Sequence, residues 1–226
     1  NKELIQSRDA ADDVGADIEV LGEGKERELP IIVVANARRV QEALRVLEEL
    51  AKIPGTTPGL DPDKFKKARF DLYDIEQKLL SRLLRRDKAG RLTGLCAIID
   101  SRVLGGRGHL EAAGQIIRGG AKAIQLRHKP DGKDELLTIA QKLQKLCSEN
   151  GVLFIVNDYL DIALATEADG LHLGQNDLPI KVARQLLPID RILGGSVTTE
   201  DQAITAEAEG ADYIAVGSIY PTTYKE

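Results

Sequence analysis

Carboxylate side chains follow two short apolar runs of this sequence. Residues 152–156 lead towards Asp158, and residues 170–173 lead into a loop that ends at Asp177. Residues 159–167 between them have helical spacing, so the segment predicts a strand, a helix and a second strand parallel to the first. The carboxyl ends of parallel strands share one edge of a sheet, and we expect both Asp side chains to face one cleft there. Such a pair suits Mg²⁺, a hard cation that takes oxygen ligands and often binds together with a phosphate. N-capping of the helices that follow is the alternative role.

Amide, basic and hydroxyl side chains follow the other predicted strands. They are Gln125, Arg127 and Lys129 at the end of 121–126, Asn157 before Asp158, Ser196 after 192–195, and Thr222, Thr223, Tyr224 and Lys225 beyond 213–217. Arg offers a phosphate a planar fork of donors and Lys offers a point charge, while a divalent metal bridges oxygens. This inventory predicts a phosphate or diphosphate site with a divalent metal. A solvated salt bridge in a loop is the alternative for Arg127 and Lys129.

Short apolar strands alternate with amphipathic helices from Gly94 onward. The predicted strands are 95–99, 121–126, 152–156, 170–173, 192–195 and 213–217, and the predicted helices lie near 109–118, 134–149, 159–167, 179–187 and 200–209. Six such repeats predict a parallel α/β fold, either a (β/α)₈ barrel or a doubly wound sheet. Polar residues gather after the carboxyl ends of five strands, where TIM barrels carry their chemistry, and we therefore favour a TIM (β/α)₈-type barrel.

The first 90 residues carry no strand signal. Residues 1–30 are polar and predict loop with room for one short helix. A helix is predicted from Ala35 to Ala51 by its apolar stripe, and it stops before Pro54-Gly55. A second helix begins at Asp61-Pro62, with Asp as N-cap and Pro in the first turn, and ends in the basic run 85–90. We expect a helical appendage that packs on the next domain or on a partner.

The bulk composition excludes several classes of function. A net charge of -5 and an aromatic content of 4% argue against a surface that binds nucleic acid. No apolar run approaches the length of about 20 residues that spans a bilayer. Cys96 and Cys147 have neither CxxC nor metal-ligand spacing, and we expect two buried free thiols in a cytoplasmic protein.

Five motifs in order resemble the thiamine phosphate synthase family. They are QLRHK (125–129), VND (156–158), ADGLHLGQNDLP (168–179), GGSV (194–197) and ADYIAVGSIYPT (211–222), the last followed by Lys225. The resemblance covers about residues 94–226. It implies a TIM barrel that uses Mg²⁺ to join hydroxymethylpyrimidine diphosphate to hydroxyethylthiazole phosphate and releases pyrophosphate.

The same resemblance implies a role for each matching residue. The pyrimidine diphosphate would be held by Asn157 and by the QLRHK segment, namely Gln125, Leu126, Arg127, His128 and Lys129. Asp158 and Asp177 would ligate Mg²⁺, and Ser196 and Lys225 would bind the leaving diphosphate. Thr222 and Thr223 would lie by the thiazole phosphate, with Tyr224 where the family usually has Thr. The catalytic residues would be Arg127, Lys129, Ser196 and Lys225. Since a substrate cation does the work, no protein nucleophile is needed, and we expect structural roles for the rings of His128 and His172.

The expected domain organisation is a helical domain over residues 1–90 and a barrel over residues 94–226. The sequences ANARRVQEALRVLEELAK and KARFDLYDIEQKLL resemble the helical domain that precedes the synthase in some bacterial fusions and is linked to hydroxymethylpyrimidine phosphate kinase activity. The segment GEGKE lacks the spacing of a P-loop, so the sequence offers no ATP site of its own. A (β/α)₈ barrel needs eight strands, and we expect this chain to be a fragment whose barrel stops after about six.

Two other functions remain open at this point. A thiazole tautomerase of the same superfamily would need a His base in the cleft and would not need both Asp ligands. A catalytically inactive ligand-binding or scaffold module would use residues 35–86 as its interaction surface. Beyond the two small-molecule substrates, we expect neither a nucleic-acid nor a membrane partner, and a homo-oligomer is compatible with the sequence.

Overall fold

The computed structural model describes residues 28–54, 59–128 and 132–220. Two long helices come first, α1 (Leu29–Ala51) and α2 (Pro62–Arg91). The strands that follow are β1 (Cys96–Asp100), β2 (Ala123–Arg127), β3 (Leu153–Asn157), β4 (Gly170–Leu173), β5 (Ile192–Val197) and β6 (Tyr213–Val216). The connecting helices are α3 (His109–Arg118), α4 (Lys133–Glu149), α5 (Leu160–Ala165), α6 (Ile180–Leu186) and α7 (Glu200–Glu209), and a short 3₁₀ helix covers Ser101–Val103.

The six strands form one parallel sheet in the order β1-β2-β3-β4-β5-β6. Each strand therefore pairs with the next one along the chain, and the order never reverses. A doubly wound sheet reverses its order at a switch point, whereas a barrel adds its strands in sequence. The observed order confirms the barrel-type prediction over the doubly wound alternative.

Contacts across the hollow of the sheet show that it is curled. The Tyr213 side chain of β6 reaches Gln125 of β2 by a side-chain hydrogen bond. In a flat sheet these strands would stand about 19 Å apart, four spacings of about 4.8 Å. Gly194 makes room for this reach, since a Cβ there would overlap the Tyr213 ring. The inner faces of β2 and β6 therefore look at each other, as they do in a barrel.

Two apolar layers hold the sheet. The outer layer lies between strands and helices, and its largest fully buried side chains include Ile99, Ile124, Leu126, Phe154, Leu171 and Leu193. The inner layer is smaller and contains Ala123, Leu153, Ile155 and Ile192. Ala89 and Leu92 at the end of α2 pack against this inner layer. Helix α2 thus closes the hollow at the amino ends of the strands.

Ion pairs fix α2 in that position. Arg85 Nε donates to Asp212 Oδ1 at 2.7 Å, and Lys88 Nζ donates to Asp190 Oδ2 at 3.1 Å. Asp212 and Asp190 stand just before β6 and β5. The first part of α2 packs along α1, where Arg69 donates to the buried Glu48 carboxylate at 2.9 Å. A single helix therefore joins the helical hairpin to the barrel.

The predicted elements from Gly94 onward agree with the observed bounds to within two residues. The start of α1 was predicted at Ala35, which is wrong, because the helix begins at Leu29 with Pro30 in its first turn. The β-branched run 31–34 has low helix propensity, and most of its side chains are exposed, so packing does not explain why it is helical. Asp61 caps α2 as predicted, accepting from the Asp63 N–H at 2.9 Å.

One further expectation needs correction. Cys147 is buried, but Cys96 is exposed, because β1 is an edge of the sheet over the described residues. The basic end of α2 is observed as expected, with Lys88 in the last turn, and Arg85 and Lys88 also pair with carboxylates of the barrel. Within the described part of the chain, no helix has the length and apolar content to cross a membrane.

Candidate functional site

Alternation along the strands sorts the predicted site residues between two faces. Gln125 and Arg127 share the inner face of β2, since successive side chains of a strand point to opposite sides. Leu126 between them is buried in the outer layer with 1% of its surface exposed. The Leu126 side chain therefore does not line the hollow, and only its backbone is available to a ligand there. Asn157, at the carboxyl end of β3, is buried and pairs in register with His172 of β4.

A hydrogen-bonded chain crosses the inner face of the barrel. Tyr213 OH lies 3.0 Å from His172 Nδ1, and His172 Nε2 lies 2.9 Å from Ser196 Oγ. The Gln125 side chain is bonded to the same Tyr213. Burial raises the pKa of Tyr213, so its phenol stays protonated. Residues from β2, β4, β5 and β6 are thereby fixed relative to one another around Ser196.

Arg127 pairs with a carboxylate that the sequence interpretation did not select. Its Nη1 donates to Asp100 Oδ2 at 2.5 Å, and the two residues are register partners on β1 and β2. Hydrogen bonds from Arg102 and then from Arg127 hold the pKa of Asp100 well below its usual range, against the opposing effect of burial. Asp100 therefore stays ionised and fixes the guanidinium at the carboxyl edge of the sheet. The signal was present in the sequence, since Asp100 follows the first predicted strand just as Asp158 follows the third.

Asp158 turns the chain sharply as it leaves β3. Its backbone has a φ of 67°, in the left-handed region that residues other than Gly seldom adopt. Its N–H donates to the His172 carbonyl at 2.8 Å, which anchors the turn to β4. Strain of this kind costs about 1–3 kcal/mol and collects at functional sites.

Asp177 closes the loop after β4. Its Oδ2 accepts from the Gly174 N–H at 2.6 Å. In the same loop, Gln175 Nε2 donates to the Ser196 carbonyl at 2.5 Å, so the loops after β4 and β5 are joined. Asp177 also lines a surface cavity of about 330 Å³ between this loop and α7.

The alternative N-cap role for the two Asp residues is wrong. The N-cap positions of α5 and α6 are Tyr159 and Pro179, and neither makes a side-chain capping bond. Asp158 and Asp177 instead belong to the turns that follow two adjacent parallel strands. Both carboxylates therefore stand at the same edge of the sheet.

The donor set at this edge fits a magnesium ion that is shared with a substrate. Within the described ranges, no group of three His, Cys, Asp or Glu side chains is arranged to hold a metal. The two Asp carboxylates and the Asn157 amide offer oxygen, which Mg²⁺ prefers. Mg²⁺ is usually held by one or two carboxylates, with waters and substrate phosphates as its other ligands. The protein therefore does not have to supply every ligand of the metal ion at this site.

Some predicted site residues lie outside the described residues. They are Lys129, Thr222, Thr223, Tyr224 and Lys225. His128 is described, and it turns towards Ser101 and His109. The sequence interpretation missed the contributions of Asp100, Tyr213 and Gln175, because each acts through a contact between strands that are distant in sequence.

Comparison with known proteins identifies both parts of the chain. Residues 95–226 match the family described as thiamine monophosphate synthase, and residues 1–78 match the ThiD2 family. Thiamine-phosphate synthase of Synechococcus sp. strain CC9311 is 40% identical over 232 residues, covering 97% of this chain and 62% of that protein. The Nostoc sp. strain PCC 7120 enzyme of the same name is 40% identical over 228 residues, covering 99% of this chain and 61% of that protein. The chain thus spans less than two thirds of the length of these relatives.

A solved structure has a similar fold. Thiamine phosphate pyrophosphorylase from Pyrococcus furiosus aligns with a TM-score of 0.55 and 38% sequence identity, over 60% of this chain and 64% of that one. The family match covers more than half of the chain and coincides with the six-stranded barrel and its polar edge. The chain belongs to the thiamine monophosphate synthase family.

Proposed function

We propose that the protein is a thiamine phosphate synthase. It condenses 4-amino-2-methyl-5-(diphosphooxymethyl)pyrimidine with 4-methyl-5-(2-phosphooxyethyl)thiazole and releases pyrophosphate. The observation that carries this proposal is the common edge at which Arg127, Asn157, Asp158, Asp177 and Ser196 leave or follow four parallel strands. The names of the relatives support the same activity.

The proposed binding mode follows from the inner face of the barrel. Gln125 and Asn157 are buried amides that offer both donors and acceptors to the pyrimidine ring and its amino group. Arg127 lies further along β2 and offers its planar fork of donors to the diphosphate. His128 and Lys129 extend this segment, and Leu126 contributes backbone only. Thr222, Thr223 and Tyr224 are assigned to the thiazole phosphate.

The proposed chemistry follows from charge. The bond between the pyrimidine methylene and the diphosphate oxygen breaks with both electrons leaving on oxygen, and the ring amino group feeds electrons to the resulting carbocation. Arg127, Lys129 and Lys225 offset the negative charge that develops on the leaving group, and Ser196 donates a hydrogen bond to it. The thiazole nitrogen then attacks the methylene carbon with its lone pair. The pyrimidine methylene thus exchanges one bond to oxygen for one bond to nitrogen, and no protein base is consumed.

Asp158 and Asp177 are the residues that would hold Mg²⁺. When bound, the ion supplies positive charge that stabilises the leaving pyrophosphate. The protein's own part is to orient the groups around it. The Tyr213–His172–Ser196 chain aims the Ser196 hydroxyl, while the turn at Asp158 and the loop closed by Asp177 present two carboxylates at one edge.

The environment of His172 argues against a tautomerase. That reaction needs an imidazole that accepts a proton from the substrate. His172 is 4% exposed, and both of its ring nitrogens are engaged by Tyr213 and Ser196. The ring is therefore held as a positioning group.

We also propose that residues 1–90 and 94–226 act as a helical domain and a synthase barrel. Helix α2 supports a firm connection between them, because it belongs to the hairpin at one end and seats on the barrel at the other. The helical domain then serves as a fixed platform for the barrel.

The experiment is a synthesis assay with the full-length protein. Both substrates and Mg²⁺ are supplied, and thiamine phosphate and pyrophosphate are quantified. Equal amounts of the two products are expected, together with loss of activity on chelation of Mg²⁺ and in Asp158→Asn and Asp177→Asn. Asp161→Asn is the matched control, because Asp161 is an exposed carboxylate on α5 that pairs with Lys133.

The outcomes separate the candidate functions. Proton exchange on the thiazole without pyrophosphate release would favour a tautomerase. Tight binding of either substrate without any product would favour a ligand-binding module. Full activity of both Asp158→Asn and Asp177→Asn would overturn the proposed metal ligands.

A further inference from the structure

Two of the three histidines of this chain meet at one serine beside the proposed diphosphate site. Ser101 Oγ lies 2.8 Å from His109 Nε2, and it is also hydrogen bonded to His128 Nδ1. The two imidazole rings stand edge to face, with their centroids 5.5 Å apart. Ser101 follows β1, His128 follows β2 and His109 opens α3, so this cluster ties three elements together. No step of the proposed reaction uses it.

The surroundings of His128 determine which atom donates in each hydrogen bond of the cluster. His128 Nε2 is buried and has no hydrogen-bond partner among the described residues. A proton on His128 Nδ1 donates to Ser101 and leaves an unpaired acceptor at Nε2, whereas the opposite tautomer leaves an unpaired N–H there, which is the rarer case for a buried group. The Ser101 hydroxyl then donates to His109 Nε2. The chain therefore runs from His128 through Ser101 to a neutral His109.

The cluster lies one residue beyond the pair that holds Arg127. Asp100 and Arg127 are register partners that form an ion pair at the ends of their strands, and Ser101 and His128 are the residues that directly follow them. The carboxyl ends of β1 and β2 are therefore joined twice in succession. Loss of the second connection releases the backbone that aims the Arg127 fork.

We propose that Ser101 and His109 are positioning residues for Arg127, acting through His128, and that protonation of His109 weakens the binding of a diphosphate. This inference rests on the proposed function, since it assigns Arg127 to the diphosphate. Protonated His109 presents an N–H to Ser101, where the neutral ring accepted one. Ser101 Oγ can then accept from both rings, but its own O–H loses His109 as an acceptor, so the direction of the chain from Ser101 to His109 is lost.

The charges around His109 set the pH range of this effect. Burial is the main cause that lowers the pKa of His109, His128 lowers it further, and Glu135 on α4 opposes them. On the neighbouring strands Asp100 is held by Arg102 and Arg127. We therefore expect His109 to be neutral at pH 7 and to take up its proton below the ordinary pH range of a histidine.

The first experiment determines the tautomers of His109 and His128 in the unsubstituted full-length protein. Long-range ¹H–¹⁵N NMR reports the tautomer of each imidazole, and the three histidines of this sequence give few signals to assign. We expect a neutral His128 with its proton on Nδ1 and a neutral His109 with Nε2 unprotonated. A proton on Nε2 of neutral His109 would reverse the chain and overturn the proposal.

The second experiment measures the binding of pyrophosphate with Mg²⁺ by calorimetry at pH 8 and pH 5. Ser101→Ala is expected to weaken binding about tenfold at pH 8, the value of one lost hydrogen bond. It should also reduce the additional weakening that the unsubstituted protein shows at pH 5. Ser101→Thr retains a hydroxyl and should restore both properties. The titration of pyrophosphate itself is common to all variants and cancels in the comparison.

Ser148→Ala is the matched control, because Ser148 is exposed near the far end of α4. An affinity and pH dependence of Ser101→Ala equal to those of this control would overturn the inference while leaving the proposed function intact. Failure of the unsubstituted protein to bind pyrophosphate with Mg²⁺ would overturn the proposed function as well. If Ser101→Ala does not fold, the histidine tautomers measured by NMR in the unsubstituted protein decide whether the proposal stands.

Discussion

The two ends of the barrel strands use charged residues in opposite ways. At the amino ends, Arg85 and Lys88 of α2 pair with Asp212 and Asp190, which stand just before the strands. At the carboxyl ends, charged and hydroxyl groups follow the strands on several separate loops and aim at a shared edge. The first arrangement fixes a helix against the barrel, and the second leaves donors and acceptors arranged for a ligand. The same residue types therefore stabilise the fold at one end, and we propose that they bind a ligand at the other.

The inward-facing side chains of the strands also differ between the amino ends and the carboxyl ends. Inner positions near the amino ends are apolar, as at Leu153 and Ile192, and α2 covers them. Inner positions further along are polar, as at Gln125, His172 and Ser196. On β2, β3 and β5 the change occurs within two to four residues, so the interior of these strands is apolar at the amino end and polar at the carboxyl end.

The largest expected effect comes from removing the cation at the carboxyl edge. Arg127→Ala should lower kcat/KM for thiamine phosphate formation by about 10²–10³-fold, because a fixed donor to the developing charge is lost. Its melting temperature should change little, since Asp100 retains Arg102 as a partner. Steady-state kinetics and thermal unfolding measure the two quantities. Arg118→Ala, at an exposed position on α3, is the control.

A charge removed from the amino end should show the reverse pattern. Arg85→Ala leaves Asp212 with Arg184 and the Leu193 N–H as partners, so the expected loss is that of one hydrogen bond between charged groups, about 2 kcal/mol of unfolding free energy. Denaturant unfolding measures this loss, while kcat/KM of the folded protein should stay near that of the unsubstituted protein. The exposed neighbour Arg86→Ala is the control. A loss of activity without a loss of stability would erase the distinction between the two ends.

A smaller effect is expected from disrupting the hydrogen-bonded chain Tyr213–His172–Ser196 inside the barrel. Tyr213→Phe removes the hydroxyl between His172 and Gln125, which should lower kcat about tenfold because Ser196 loses its orientation by one lost hydrogen bond. Tyr73→Phe removes another hydrogen-bonded phenol, the partner of Arg69 on α2, and should leave kcat unchanged. Equal kinetics of the two variants would show that the interior chain does not orient Ser196.

The smallest effect is a pH dependence of stability. The pKa of His109 is lowered in the folded protein, mainly by burial, so the unfolded chain takes up the proton first as the pH falls. Stability should therefore decline as the pH drops through the ordinary range of histidine, about 6.5, and the decline should stop below the folded pKa. His109→Gln should show a shallower decline between pH 7.5 and pH 5.5 in thermal unfolding. A slope identical to that of the unsubstituted protein would contradict the burial of this ring as a neutral group.

Much of the barrel could be predicted from the sequence, because its strands and helices are short and are marked by local patterns. The bounds of the predicted elements after Gly94 are confirmed to within two residues, and the family resemblance is confirmed by the comparisons. The start of α1 was missed, since its β-branched first turns have low helix propensity. Packing of the helical segment on the next domain was expected and is confirmed, but the ion pair that fixes α2 was not foreseen, because Arg85 and Asp212 are 127 residues apart in sequence.

The candidate site was predictable only in part for the same reason. A motif names residues such as Arg127, Asp158 and Ser196, but it does not name their partners. Asp100 meets Arg127 through strand register, and Tyr213 meets His172 through the curl of the sheet. Such partners depend on tertiary geometry, which no local pattern contains.

The central claim is that the carboxyl edge binds a diphosphate and the amino end does not. Calorimetric titration of the full-length protein with pyrophosphate in the presence and absence of Mg²⁺ tests it most directly. We expect Mg²⁺-dependent binding that is lost in Arg127→Ala and retained in Arg85→Ala below its melting temperature. Undiminished binding by Arg127→Ala, or loss of binding in folded Arg85→Ala alone, would contradict the account.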